Sequence, residues 1–216
     1  MNTKTNYVQF GSGDVYIDGW KNYDASPTLY FQRFPFFGRL LRRQMNVEFD
    51  KRILFGDIVR GLPELSNNVD GLFCSHVLEH LTLDDFHTAL SNCFNLLKPG
   101  GRFRLIVPNL DYYINQYCID KGRGLNKTAT NFMKNTHLGR QYSRVPTFKK
   151  ILEGFSNQHH QWMWNKETLV FELINHGFAD VRSFKFSNSD DLMFLRPERE
   201  YQFSNEALAI ECFKPL

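Results

Sequence analysis

No run of the sequence reaches the roughly 20 consecutive apolar residues that a membrane-spanning helix needs, so no transmembrane segment is expected. The opening residues Met1 to Asn6 are polar, and a cleavable signal sequence is not expected either. Cysteine is sparse: Cys74, Cys93, Cys118 and Cys212 are scattered, with no C-x-x-C pair among them. Three fall in segments read below as strand or helix, where buried thiols are common, and a reducing cytoplasm is the expected setting. Acidic residues are missing altogether between Lys121 and Lys150, a stretch with eight Lys or Arg. The whole chain carries only +3, so the remainder is about five charges negative and the basic excess is local. Internal repeats, low-complexity tracts and linkers are also lacking.

What is present suits one large domain. The 216 residues are 42% hydrophobic and 23% charged, enough to bury a sizeable core. Short apolar runs alternate with amphipathic stretches, which predicts βα units and a mostly parallel sheet. Strands are expected at Tyr7–Phe10, Trp20–Tyr23, Ile53–Phe55, Gly71–Cys74, Phe103–Val107, Phe178–Phe184 and Ala207–Phe213. Thr82-Leu83-Asp84-Asp85 reads as a helix start, followed by Phe86, Leu90, Phe94 and Leu97 at helical spacing. Lys98-Pro99-Gly100-Gly101 stops that helix and turns into the next strand. Asn165 caps a second helix, closed by Gly177. From Asn109 to about Gln158 no clean period is visible.

Residues capable of chemistry follow the apolar runs, which is where open α/β sheets bind ligands. Gly11-Ser12-Gly13 lets the backbone turn tightly and approach a ligand closely. It lacks the third glycine of the dinucleotide fingerprint, which argues against NAD. Asp24, after the second strand, is placed to accept hydrogen bonds from two ribose hydroxyls, or else is a solvated turn carboxylate. Asp57, after the third, is placed to accept from an adenine amine, or else is an ordinary cap.

In this order and spacing the chain resembles the class I S-adenosylmethionine-dependent methyltransferases, especially small bacterial ones of the type 11 kind. The resemblance rests on Val8–Gly13, Gly19–Asp24, Phe55–Ile58 with Leu62-Pro63, Val69–Leu72 running into Val77–Leu81, Leu96–Arg102, and Leu169–Phe178. It implies a Rossmann-like seven-stranded, mostly parallel sheet with helices on both faces and the last strand antiparallel. It also implies S-adenosylmethionine as cofactor. Gly11 and Gly13 would flank its methionine part with Phe10 and Ser12 beside them. Asp24 with Ala25 would hold the ribose, Gly56, Asp57 and Ile58 the adenine. Ser75 and His76 would line the reacting sulfur. Only ten residues separate Gly13 from Asp24, fewer than a helical crossover takes, so the first helix is expected to be shortened or absent. The segment 109–158 is where the resembling family builds an acceptor lid.

The expected acceptor is a small or saccharide-type, anionic molecule, with Arg140, Arg144 and His159 as its binding residues. Arginine is preferred because its planar fork meets phosphate or carboxylate at two points. His80 and His160 are the candidate bases if the acceptor is a hydroxyl. Phe31 to Arg43 mixes aromatics with arginines and reads as an amphipathic helix, a lid or a membrane-surface face. Two other classes remain open, a nucleic-acid role and a non-catalytic cofactor-binding partner protein, the latter opposed by the preserved cofactor positions. A nucleic-acid-modifying enzyme would use the basic segment with Tyr142, Phe148, Trp162 and Trp164 as stacking surfaces, although no stable nucleic-acid partner is expected. His76-Val77-Leu78-Glu79-His80 also fits the H-x-x-E-H pattern of inverted zinc proteases, with Glu153 as a third ligand. That motif belongs inside a helix, whereas His76 here comes off a strand, so no metal is expected.

Overall fold

The computed structural model describes residues 5–32, 49–139 and 159–216. Seven strands form one sheet in the order β3-β2-β1-β4-β5-β7-β6. They are β1 (Tyr7–Phe10), β2 (Lys21–Asp24), β3 (Leu54–Phe55), β4 (Val69–Ser75), β5 (Leu97–Pro108), β6 (Ala179–Ser183) and β7 (Ala207–Phe213). The first five run parallel, while β7 is antiparallel to both β5 and β6. The order reverses between β1 and β4, and at such a switch point a crevice opens beyond the strand ends. Gly11–Gly13 and Ser75-His76 both leave the sheet there.

Alternation along the strands divides the core. Val8, Phe10, Leu72, Cys74, Phe103, Leu105 and Ile210 face one side and pack against α2 (Leu83–Leu96) and α5 (Lys166–Asn175) through Phe86, Leu90, Leu169 and Leu173. Tyr7, Phe73 and Ile106 face the other side and meet Ile17, Trp20 and Phe194. Among the described residues no α-helix contributes to this second cluster. The loop at 14–20 and two 3-10 turns, Leu192–Leu195 and Glu200–Phe203, close it instead. The sheet is therefore as expected, and among the described residues the helices packed into the core lie on the first face. With no helix between β1 and β2, that crossover is all turns and bends, as the spacing required.

Local chemistry explains the element ends. Thr82 Oγ1 accepts from the Asp85 N–H and Asn165 Oδ1 from the Thr168 N–H, so both expected caps form. Gly177 takes φ +90° just beyond α5. The Lys98–Gly101 turn departs from expectation. Leu97 already pairs with Val69, and the turn is an irregularity inside a longer β5, with Gly100 at φ +76°. Two helices were missed, α3 (Leu110–Gly122) and α4 (Thr128–Asn135). Neither buries a residue fully, α3 shows no one-sided apolar stripe, and α4 is only eight residues long. The short α1 (Pro27–Gln32) starts on Pro27, with Ser26 Oγ accepting from the Thr28 N–H. No helix of the described residues is long and apolar enough to cross a membrane.

Candidate active site

The glycine turn is shaped by contacts on both sides. Gly11 and Gly13 have φ +65° and +58°, in the left-handed region that costs other residues energy. A Cβ on Gly11 would collide with the Val77 side chain, whereas one on Gly13 would meet open space. Gly13 N–H donates to Asp24 Oδ2 at 2.9 Å and Ser26 N–H to Asp24 Oδ1 at 2.7 Å. Burial raises the Asp24 carboxyl above its usual range, against the pull of these two donors. Each carboxylate oxygen has a second lone pair for a further donor, and Asp24 keeps 8% of its surface. Phe10 is buried in the core rather than at the crevice surface. Ser12 N–H is tied to the Tyr23 carbonyl and Gly56 N–H to that of Asp24.

Asp57 does cap a turn. Its Oδ1 accepts from the Val59 N–H at 2.9 Å, and Oδ2 lies 3.6 Å from Arg60 Nε. Ile58 is buried against the larger core. At the end of β4, Ser75 Oγ is buried without a hydrogen-bond partner. His76 then turns the chain with φ +55°, its N–H on the Ile106 carbonyl and its Nδ1 3.2 Å from Glu79 Oε1. This bend carries Val77 across Gly11.

The next residues form a cluster that the local sequence pattern did not disclose. Leu78–His80 is a single 3-10 turn rather than part of an α-helix, so the zinc-protease arrangement of His76 and His80 on one helix face is absent. Glu79 is fully buried and meets three imidazoles. Its Oε1 lies 3.2 Å from His76 Nδ1, 3.9 Å from His80 Nε2 and 4.0 Å from His160 Nε2. The irregular segment 160–164 is stitched down beside it. Gln161 and Trp162 N–H both donate to the Glu79 carbonyl, and Gln161 Nε2 donates to the His80 carbonyl. His160 N–H donates to the His137 carbonyl. Burial pulls the His160 imidazole down to about 4, which makes it a weak base. His159 presents its carbonyl to His80 Nδ1 while the residue itself is exposed.

The structure thus brings Gly11, Gly13, Asp24, Ser75, His76, His80 and His160 to one end of the sheet. Glu79, at the centre of the histidines, was missed as a site residue, although the H-x-x-E-H pattern contained it. Arg140, Arg144, Glu153, Tyr142, Phe148 and most of Phe31–Arg43 lie outside the described residues.

The profile of a family described as "Methyltransferase domain" matches residues 40–105, which include Asp57, Ser75, His76, Glu79 and His80. No curated protein matches the chain. Among solved structures, the chain is similar to one in the complex of the Haloferax volcanii Trm112 methyltransferase activator with a putative methyltransferase. The TM-score is 0.50 at 14% identity, over 99% of this chain and 84% of that one. It is similar also to the CurJ carbon methyltransferase, with TM-score 0.50 at 12% identity, over all of this chain and half of the other. At these identities the likeness is one of fold. Residues 40–105 thus resemble a methyltransferase domain, and the whole chain shares the Rossmann-like fold of solved methyltransferases.

Proposed function

We propose that the chain transfers a methyl group from S-adenosylmethionine to an anionic, small or saccharide-type acceptor, at the β1–β4 switch point. The observation that carries the cofactor reading is the glycine turn bonded to the buried Asp24 carboxylate. The residues suit the group. Gly13 leaves open space, and Ser75 offers a buried hydroxyl with no protein partner. In this reading Gly11 to Gly13 and Ser75 flank the methionine part and Asp24 takes the ribose hydroxyls. Gly56 and Asp57 border the adenine. Bound there, the cofactor supplies an electrophilic methyl carbon to the acceptor's lone pair. The protein's task is alignment and exclusion of water.

The acceptor side begins at His76 and the Glu79–His80–His160 cluster. If the acceptor is a hydroxyl, its activation falls to that cluster; an amine or carboxylate needs no strong base. An anionic acceptor is supported by the eight Lys or Arg of Lys121–Lys150, with no acidic residue among them, downstream of β5. Arg140 and Arg144 are the proposed partners of its charge. Turnover across matched neutral and anionic acceptors tests this, with Arg140→Ala and Arg144→Ala alongside. Preference for anionic acceptors and a KM raised at least several-fold in one variant are expected. Preference for neutral acceptors with unchanged KM in both would overturn the acceptor assignment.

A further inference from the structure

The Glu79–His80–His160 cluster combines three observations that ask for a cation. First, one ligand atom from each residue lies within 4.8 Å of the other two. In a tetrahedral site with bonds of about 2.0–2.1 Å, neighbouring ligand atoms stand roughly 3.3 Å apart. The 3.9 and 4.0 Å separations from Glu79 Oε1 to the two Nε2 atoms are a small side-chain adjustment away.

Second, the tautomer of His80 is dictated by its neighbour. Nδ1 lies 3.2 Å from the His159 carbonyl oxygen, and since a carbonyl only accepts, Nδ1 carries the proton. In the neutral ring Nε2 then presents a lone pair toward the Glu79 carboxylate, so acceptor faces acceptor. The same pattern, a ring N–H donated to a backbone carbonyl while the other nitrogen points at the site, orients metal-bound histidines.

Third, one oxygen of the buried Glu79 carboxyl has no partner. The residue is fully buried, the unpartnered atom is Oε2, and among the described residues no Lys or Arg pairs with the carboxyl. Burying a charge in this way is costly unless an opposite charge meets it. His76, bonded to Oε1, orients the carboxylate without completing its shell.

We propose that Glu79, His80 and His160 bind a divalent transition-metal ion, with zinc or cobalt better suited than magnesium to two imidazoles and one carboxylate. This revises the expectation of a metal-free protein, which weighed the H-x-x-E-H pattern with Glu153 and did not consider His160 as a ligand. Three protein ligands leave a coordination position open. Resting on the methyltransferase reading above, that position would take an acceptor oxygen beside Ser75 and His76. A bound cation would lower the pKa of such an oxygen, its proton passing to solvent water, so His80 and His160 would act as ligands rather than bases.

The test is titration of the full, chelator-treated chain with Co2+, followed by visible absorption and equilibrium dialysis. One tightly bound ion per chain with the absorption of nitrogen and oxygen ligation is expected, displaced by equimolar Zn2+. Glu79→Gln and His160→Ala should each weaken binding at least tenfold. His87→Ala, at a separate, partly buried pair with Glu172, should not. Circular dichroism establishes that each variant folds. S-adenosylhomocysteine binding is measured on the same samples, so loss of the cofactor reading registers separately from loss of the metal. No stoichiometric ion in the folded wild-type chain, or an ion retained by both cluster variants, would overturn the proposal.

Discussion

Gly11 shows how one position serves both backbone and site. Its φ of +65° disfavours any side chain, and Val77 occupies the space where a Cβ would stand. Gly11→Ala is therefore expected to cost about 1–3 kcal/mol, read as a lower midpoint in denaturant. Adding Val77→Ala should recover the steric share and leave the dihedral share. A double-mutant cycle with no coupling would contradict the contact. Asp24 works at the same scale, since both its oxygens brace the turn. Loss of two charge-assisted bonds to ribose in Asp24→Ala is expected to cost on the order of 2–3 kcal/mol of cofactor binding.

Among the elements, β5 and β7 are joined by charge as well as by register. Arg104 on β5 is buried and donates to Glu211 on β7 and to Glu198, both at 2.6 Å. Replacing it with Met would strand Glu198 with only the Ser187 N–H. Arg104→Met should destabilise the chain by about 3–5 kcal/mol, measured by urea unfolding; a change below 1 kcal/mol would contradict this account of the network. The same scale shows what sequence discloses. Thr82 and Asn165 were readable because a cap needs only a side-chain oxygen and the next turn's N–H. The run Ala207–Phe213 was readable because a short apolar stretch between turn residues suffices to mark a strand. The helix Leu110–Gly122 was not, since no face of it is fully buried and its Leu, Tyr and Ile residues follow no stripe. Glu79 was visible only as a letter in a pattern. Its partners His76 and His80 are local, but His160 arrives from 81 residues away through backbone bonds that leave no periodic trace.

Across the whole molecule, the sheet order brings residues from four segments to one end. Those from the first strands were legible as a glycine turn and carboxylates at strand ends, because each stands directly after an apolar run. For the proposed acceptor the sequence offered single histidines and a basic composition, which name chemistry but no geometry. The central claim is that the β1–β4 crevice binds S-adenosylmethionine, and isothermal titration of the full, cofactor-stripped chain with S-adenosylhomocysteine tests it most directly. One site per chain is predicted, weakened roughly 30- to 150-fold in Asp24→Ala, the equivalent of the 2–3 kcal/mol above. No detectable heat of binding from folded protein, or tight binding of NAD in its place, would contradict the account.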